Sequence, residues 1–201
     1  MSQYRTSRVF DVIFIFVIAV GLFFAYRNRI AITDWAFFLV NQPKTETIQL
    51  ADDGGLSDYG RKLLYRTGPT ITSKNEIAKE CDIEDLGCIT PSGIVYIEAT
   101  ENHNEQVVTA AHEMLHLAYR RLNSTQKEQV DTLIKQTIEQ LNSSFLEEEL
   151  SNEKDEAGRL DEAHSLLGTE YSDLPDALET YYSQYFADRS KVLNAYQMSL
   201  Q

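Results

Sequence analysis

Apolar and polar positions fall into two regimes along this chain. From Val9 to Tyr26 there are eighteen positions with one charge, Asp11. A helix of that length spans roughly 27 Å, about the thickness of a hydrocarbon core. Arg5 and Arg8 flank one side, Arg27 and Arg29 the other. No small-x-small cleavage site follows, because Tyr26-Arg27-Asn28-Arg29 comes next. The expectation for residues 1–29 is a tail and an uncleaved signal anchor that crosses a membrane once. Ile30 to Val40 is apolar again but too short to span, and reads as a juxtamembrane interfacial helix carrying Trp35. Pro43 to Thr47 and Asp52-Asp53-Gly54-Gly55 read as linker, which closes a juxtamembrane segment over 30–55.

From Leu56 to the end the pattern is periodic. A short helix is expected over Leu56–Tyr65, starting near Ser57 and broken by Thr67-Gly68-Pro69-Thr70. Ile71-Thr72 begins a strand, and Ile94-Val95-Tyr96-Ile97-Glu98 is the clearest strand, rich in β-branched and aromatic residues. A helix follows over roughly 105–122. A capping box at Thr125-x-x-Glu128 opens a second, to about Leu141. A third is expected from Ser144 to His164 with a weak point near Gly158, and a fourth from Ser172-Asp173-Leu174-Pro175 to about Tyr196. The fold class that results is mainly α with a small β-sheet, α+β, in one domain over 56–201 behind the membrane helix.

The helix over 105–122 contains His112-Glu113-Met114-Leu115-His116. Residues four apart on a helix share a face, so two imidazoles can meet one zinc ion. Glu113 lies beside the first of them, where it can take a proton from a water on the metal. Val107, Ala111, Met114, Leu115, Ala118 and Leu122 recur at three- and four-residue steps and make a buried stripe beside the histidines.

A catalytic zinc takes three protein ligands and keeps one position open. In the extended motif H-E-x-x-H-x-x-G-x-x-H the third is a histidine six residues on. Here Tyr119 and Leu122 stand at the third and sixth positions after His116, which excludes it. The best candidate is Glu162, in Leu160-Asp161-Glu162-Ala163-His164. The small residues Ala163, Ser165 and Gly168 permit close packing on the motif helix. Glu170 is the runner-up, and Gly168 argues that the helix ends before it. His164 is a further candidate as ligand or as a catalytic donor to an oxyanion. Tyr171, Tyr181, Tyr182 and Arg189 are other candidate donors.

HEMLH followed by a distant glutamate-bearing helix resembles the zincin metallopeptidases, in their glutamate-ligand (gluzincin-type) branch. The resemblance implies a zincin-like domain with His112, His116 and Glu162 on one zinc per chain and Glu113 as general base. It also implies that Ile94–Glu98 is the edge strand of the cleft, and that the substrate is a peptide or protein. Gln184-Tyr185-Phe186-Ala187-Asp188-Arg189 resembles the E-x-x-x-A/D segment of CAAX-processing and HtpX-like membrane peptidases. There the ligand position is Gln184, whose neutral amide is a poor zinc ligand. The rival expectation is a non-catalytic anchored domain that keeps zinc for structure. Glu113 counts against it, since a structural site needs no carboxylate between its histidines.

Charge and cysteines narrow the picture. A net charge of -13 excludes nucleic acid as a partner, since phosphate binding needs a basic surface. Glu147-Glu148-Glu149 and Glu153 to Glu156 are a solvated helix face, without calcium-loop spacing. Cys81 and Cys88 are the two cysteines, and a close pair in an anchored protein suits a disulfide outside the cytoplasm. The domain is therefore expected on the extracytoplasmic side.

Overall fold

The computed structural model describes the backbone of residues 3–81 and 86–201, with side chains from residue 13 onward. Arg5, Arg8, Val9 and Asp11 in the apolar run, and Asp82 to Asp85 in the Cys81–Cys88 loop, have side chains outside the described residues. The described chain is mainly helical with one three-stranded sheet, and divides into two units, 1–42 and 43–201.

The first unit holds α1 (Gln3–Arg27) and α2 (Arg29–Val40). Among the described residues no single helix is long and apolar enough to cross a membrane. Ile13–Arg27 and Arg29–Val40 pass that test together, bent by 73° at their break. At the break the Asn28 side-chain amide donates to the Phe24 carbonyl at 2.8 Å.

The second unit begins earlier than the polar composition of residues 43–55 implies. α3 (Thr45–Asp53) replaces the expected linker. Thr47, Leu50 and Ala51 share one face and are buried against the core, so apolar contact overrides a weak local propensity. Gly55 has φ +66°, and a Cβ there would overlap the Asp188 carbonyl oxygen. The next residues build α4 (Asp58–Thr67), whose N-cap Ser57 accepts from the Gly60 amide at 3.1 Å.

β1 (Thr70–Thr72), β2 (Gly87–Ile89) and β3 (Val95–Glu98) form the sheet in the order β1-β3-β2. β1 runs parallel to β3 and β2 antiparallel to it. The strand expected at the cleft edge is thus the central one; β1 and β2 are the two edges. Between β1 and β2 lies an unanticipated helix, α5 (Lys74–Cys81), ending at a disulfide from Cys81 to Cys88.

α6 (His103–Arg120) carries the motif through the middle of the unit. Asn102 caps it, its side chain accepting from the Asn104 amide. Ten of its residues are buried, because α3, α4, α9, α11 and the sheet all pack on it. α7 (Ser124–Leu141) starts with a capping box from Asn123 and Gln126 rather than Thr125 and Glu128. Both pairs fit the pattern; the one nearer the preceding helix forms.

The expected third helix is two. α8 (Ser144–Leu150) is followed by α9 (Glu156–Glu170), and the break precedes Gly158. Asp155 caps α9 through the Gly158 amide at 2.8 Å. α9 continues through Gly168 to Glu170, against the expectation that glycine ends it. The expected fourth helix also divides, into α10 (Asp176–Tyr182) and α11 (Ser190–Ser199). The break is tied to the start of the domain. The Ser57 amide donates to the Tyr185 carbonyl at 2.8 Å and the Ala187 amide to Gly55 at 2.9 Å.

Candidate functional site

α6 and α9 pack side by side, and their contact builds the site. The four-residue step puts His112 and His116 on one face of α6, their ring centroids 4.8 Å apart. α9 brings Glu162 opposite them. The two Nε2 atoms are 3.1 Å apart. Glu162 Oε1 lies 3.5 Å from His112 Nε2, and Oε2 lies 3.3 Å from His116 Nε2. His112, His116 and Glu162 can hold a metal ion by this geometry.

The neighbouring acid fixes one imidazole. His116 Nδ1 and Asp161 Oδ1 are 2.7 Å apart, and the ring nitrogen is the donor because a carboxylate only accepts. The proton on Nδ1 leaves an electron pair on Nε2, aimed at Glu162. Electron-rich atoms then converge at 3.1–3.5 Å and call for a positive charge between them. Without metal, protons answer that demand. Burial lowers the His116 pKa, but hydrogen bonds to Asp161 and Glu162 outweigh it and carry it up to about 10. His112 is raised too, burial being outweighed by Glu162. Glu162 is held well below the carboxylate range, its burial overcome by hydrogen bonds to both histidines.

Glu113 sits one residue, about 100°, round α6 from His112. It is 5 % exposed and shares a cleft of about 1030 Å³ with the histidines. Burial raises its pKa, partly offset by the charges of His116 and His112. It faces edge strand β2, where a Cβ on Gly87 would come within 3.5 Å of Glu113 Oε1 and overlap Thr109 Cγ2.

The expected oxyanion donors are not brought to this cleft. His164 follows Glu162 by two positions, about 200° round the helix. It is fully buried, its ring among Tyr119, Tyr181, Tyr182 and Tyr185 and its Nε2 2.9 Å from the Tyr181 hydroxyl. The structure thus places this candidate donor in the core, outside the cleft lining. Tyr171, Tyr181, Tyr182 and Arg189 also lie outside the cleft lining. Tyr182 donates to the His164 carbonyl at 2.7 Å. Arg189 pairs with Glu179 and donates to the Tyr171 carbonyl at 2.9 Å, closing the C-terminal end of α9. Gln184 is exposed and bonds the Tyr181 carbonyl.

Glu170 does line the cleft but stands outside the group of three donors. Sequence reasoning missed Tyr196 and Gly87, which line the same cleft. A hydroxyl about two turns into α11 carries no local signal of where that helix will dock. No family model, curated protein or solved structure matches this chain.

Proposed function

We propose that this chain is a membrane-anchored zinc metallopeptidase of zincin-like fold, with one zinc on His112, His116 and Glu162 and Glu113 as general base. One observation carries the reading: the spacing of the three donors. Tetrahedral zinc with bonds of about 2.05 Å has its ligand atoms about 3.3 Å apart. Here the two Nε2 atoms are 3.1 Å apart, and each lies 3.3 or 3.5 Å from one of the two Glu162 oxygens, with one donor atom from each residue falling within 4.8 Å of the others. Two imidazoles and a carboxylate are also the donor set of catalytic rather than closed structural zinc.

When bound, zinc supplies Lewis acidity that makes water nucleophilic near neutral pH and polarises a scissile carbonyl. The Glu113 carboxylate accepts the proton that the attacking water loses and hands it to the departing amine nitrogen. Asp161 keeps the His116 ring in one tautomer and orientation. β2 offers the backbone of an edge strand to an extended peptide lying in the cleft. The apolar, exposed faces of α1 and α2 support anchoring through the N-terminal unit. The Cys81–Cys88 disulfide supports a domain facing an oxidising, extracytoplasmic space.

The test uses full-length protein in detergent. Metal analysis is expected to find one zinc per chain, lost in the His112→Ala/His116→Ala double variant. Glu113→Gln is expected to keep zinc and lose about 10²–10⁴-fold in hydrolysis of a peptide library. Full zinc in the double variant sinks the metal assignment. Hydrolysis by Glu113→Gln at the wild-type rate sinks the role of Glu113. Zinc without hydrolysis in the wild type returns the chain to the non-catalytic alternative.

A further inference from the structure

We propose that Glu170, which lines the cleft with Tyr196, is the residue that selects the substrate by binding a cationic group, an ammonium or a guanidinium. This subsite takes its substrate class from the peptidase reading above. Glu170 and Glu162 share α9, eight residues apart. That separation is about 12 Å along the axis and about 80° around it, so both face the cleft. An extended peptide advances about 3.4 Å per residue, so Glu170 stands three to four residues along from the metal ligands. A long side chain on a nearer residue also reaches it.

In the metal-free protein the charge of His112 bears on Glu170, but among the described residues no ion pair forms with it. Tyr196, from α11, lines the cleft with it, and its hydroxyl favours the ionised carboxylate. Among the described residues no lysine or arginine pairs with it. The two basic side chains of the cleft lining are engaged elsewhere. Lys79 binds Glu76 at 2.9 Å, and Arg120 lies 3.7 Å from Asp161. Glu105, Glu149 and Glu153 line the same cleft and add negative potential. A half-buried carboxylate without an ion-pair partner gains when a cation completes it. Burial accordingly pushes the Glu170 carboxyl above its ordinary range.

The experiment measures binding separately from cleavage. Full-length Glu113→Gln protein, loaded with zinc, is titrated with fluorescent peptides that carry lysine or norleucine at each position in turn. Each peptide is made with a free and with an acetylated N-terminus. The expected result is at least tenfold tighter binding for lysine over norleucine at one position. Adding Glu170→Gln should reduce that preference to within twofold while zinc content is unchanged. A preference confined to free N-termini and lost in Glu170→Gln identifies the peptide amine as the cation, and acetylated lysine peptides identify a side chain. Equal binding of all peptides, no binding, or a lysine preference that survives Glu170→Gln overturns the proposal. Cleavage by the wild-type protein is assayed in parallel. Selective binding without cleavage keeps the subsite and removes the peptidase, and cleavage without selectivity does the reverse.

Discussion

Replacing Gly168 by Ala tests whether the contact between α6 and α9 is what sets the site. Glycine inside a helix costs about 1 kcal/mol against alanine, so local propensity alone predicts stabilisation. The surroundings oppose it. A Cβ at position 168 would overlap Leu115 Cδ1 and lie 2.9 Å from Tyr182 Cε1. Both neighbours are fully buried and have nowhere to turn. Tyr182 is further held by its hydrogen bond to the His164 carbonyl. Overpacking costs about 1–3 kcal/mol, and breaking that buried hydrogen bond about 1–3 kcal/mol more. The steric cost exceeds the helix gain, for a net loss of about 1–5 kcal/mol. Leu115 adjoins His116, and Gly168 shares α9 with Glu162, so relief of the clash moves donors apart. A binding geometry must hold within about 0.5 Å, and zinc affinity is expected to fall at least tenfold. Denaturant unfolding of the metal-free full-length protein reads the stability, and competition against a zinc chelator reads the affinity. A Gly168→Ala protein that is about 1 kcal/mol more stable, with unchanged zinc affinity, would refute the packing argument.

Asp161→Asn should weaken zinc binding about 10–100-fold while leaving one site per chain, because the His116 ring loses its anchor; unchanged affinity in the chelator titration would show that Asp161 does not orient it. His164 should make the metal-free protein sensitive to acid. Burial and the charge of His116 push its folded pKa down to about 3 from 6.5, so its contribution is complete above pH 6.5 and is lost as pH falls toward 3. The wild type should lose up to about 1.4 kcal/mol per pH unit more than His164→Phe across that window. Parallel stability curves for the two proteins would contradict it. Replacing Cys81 and Cys88 by serine opens a short loop that loop-closure entropy values at about 2.5 kcal/mol. Melting of the double variant several degrees lower is the expected outcome, and an unchanged melting curve would count against it.

What local sequence determined is the part of the site that lies within one helix. The spacing of His112, Glu113 and His116 needs only a helix to become two imidazoles on one face and a carboxylate beside them. Glu162 was readable as a candidate because the motif lacks a third donor and Asp161-Glu162 lies on a later helix. The choice between Glu162 and Glu170 depended on how α9 docks on α6. Gly168 shows why. A glycine that ends a helix and a glycine that lets two helices touch have the same sequence signal, and the neighbour across the gap, Leu115, decides between them. Which strand is the edge was likewise settled by pairing order, which β-propensity does not encode. His164 moved from the cleft to the core because two residues of helix turn a side chain through about 200°. Leu50 and Ala51 made a helix from an apparent linker because their burial against distant α6 is absent from any local window. Periodicity specifies which face of an element is apolar. Only the packed chain specifies what that face meets, because contacts between distant residues form at the cost of loop closure and are chosen by shape as well as by hydrophobicity.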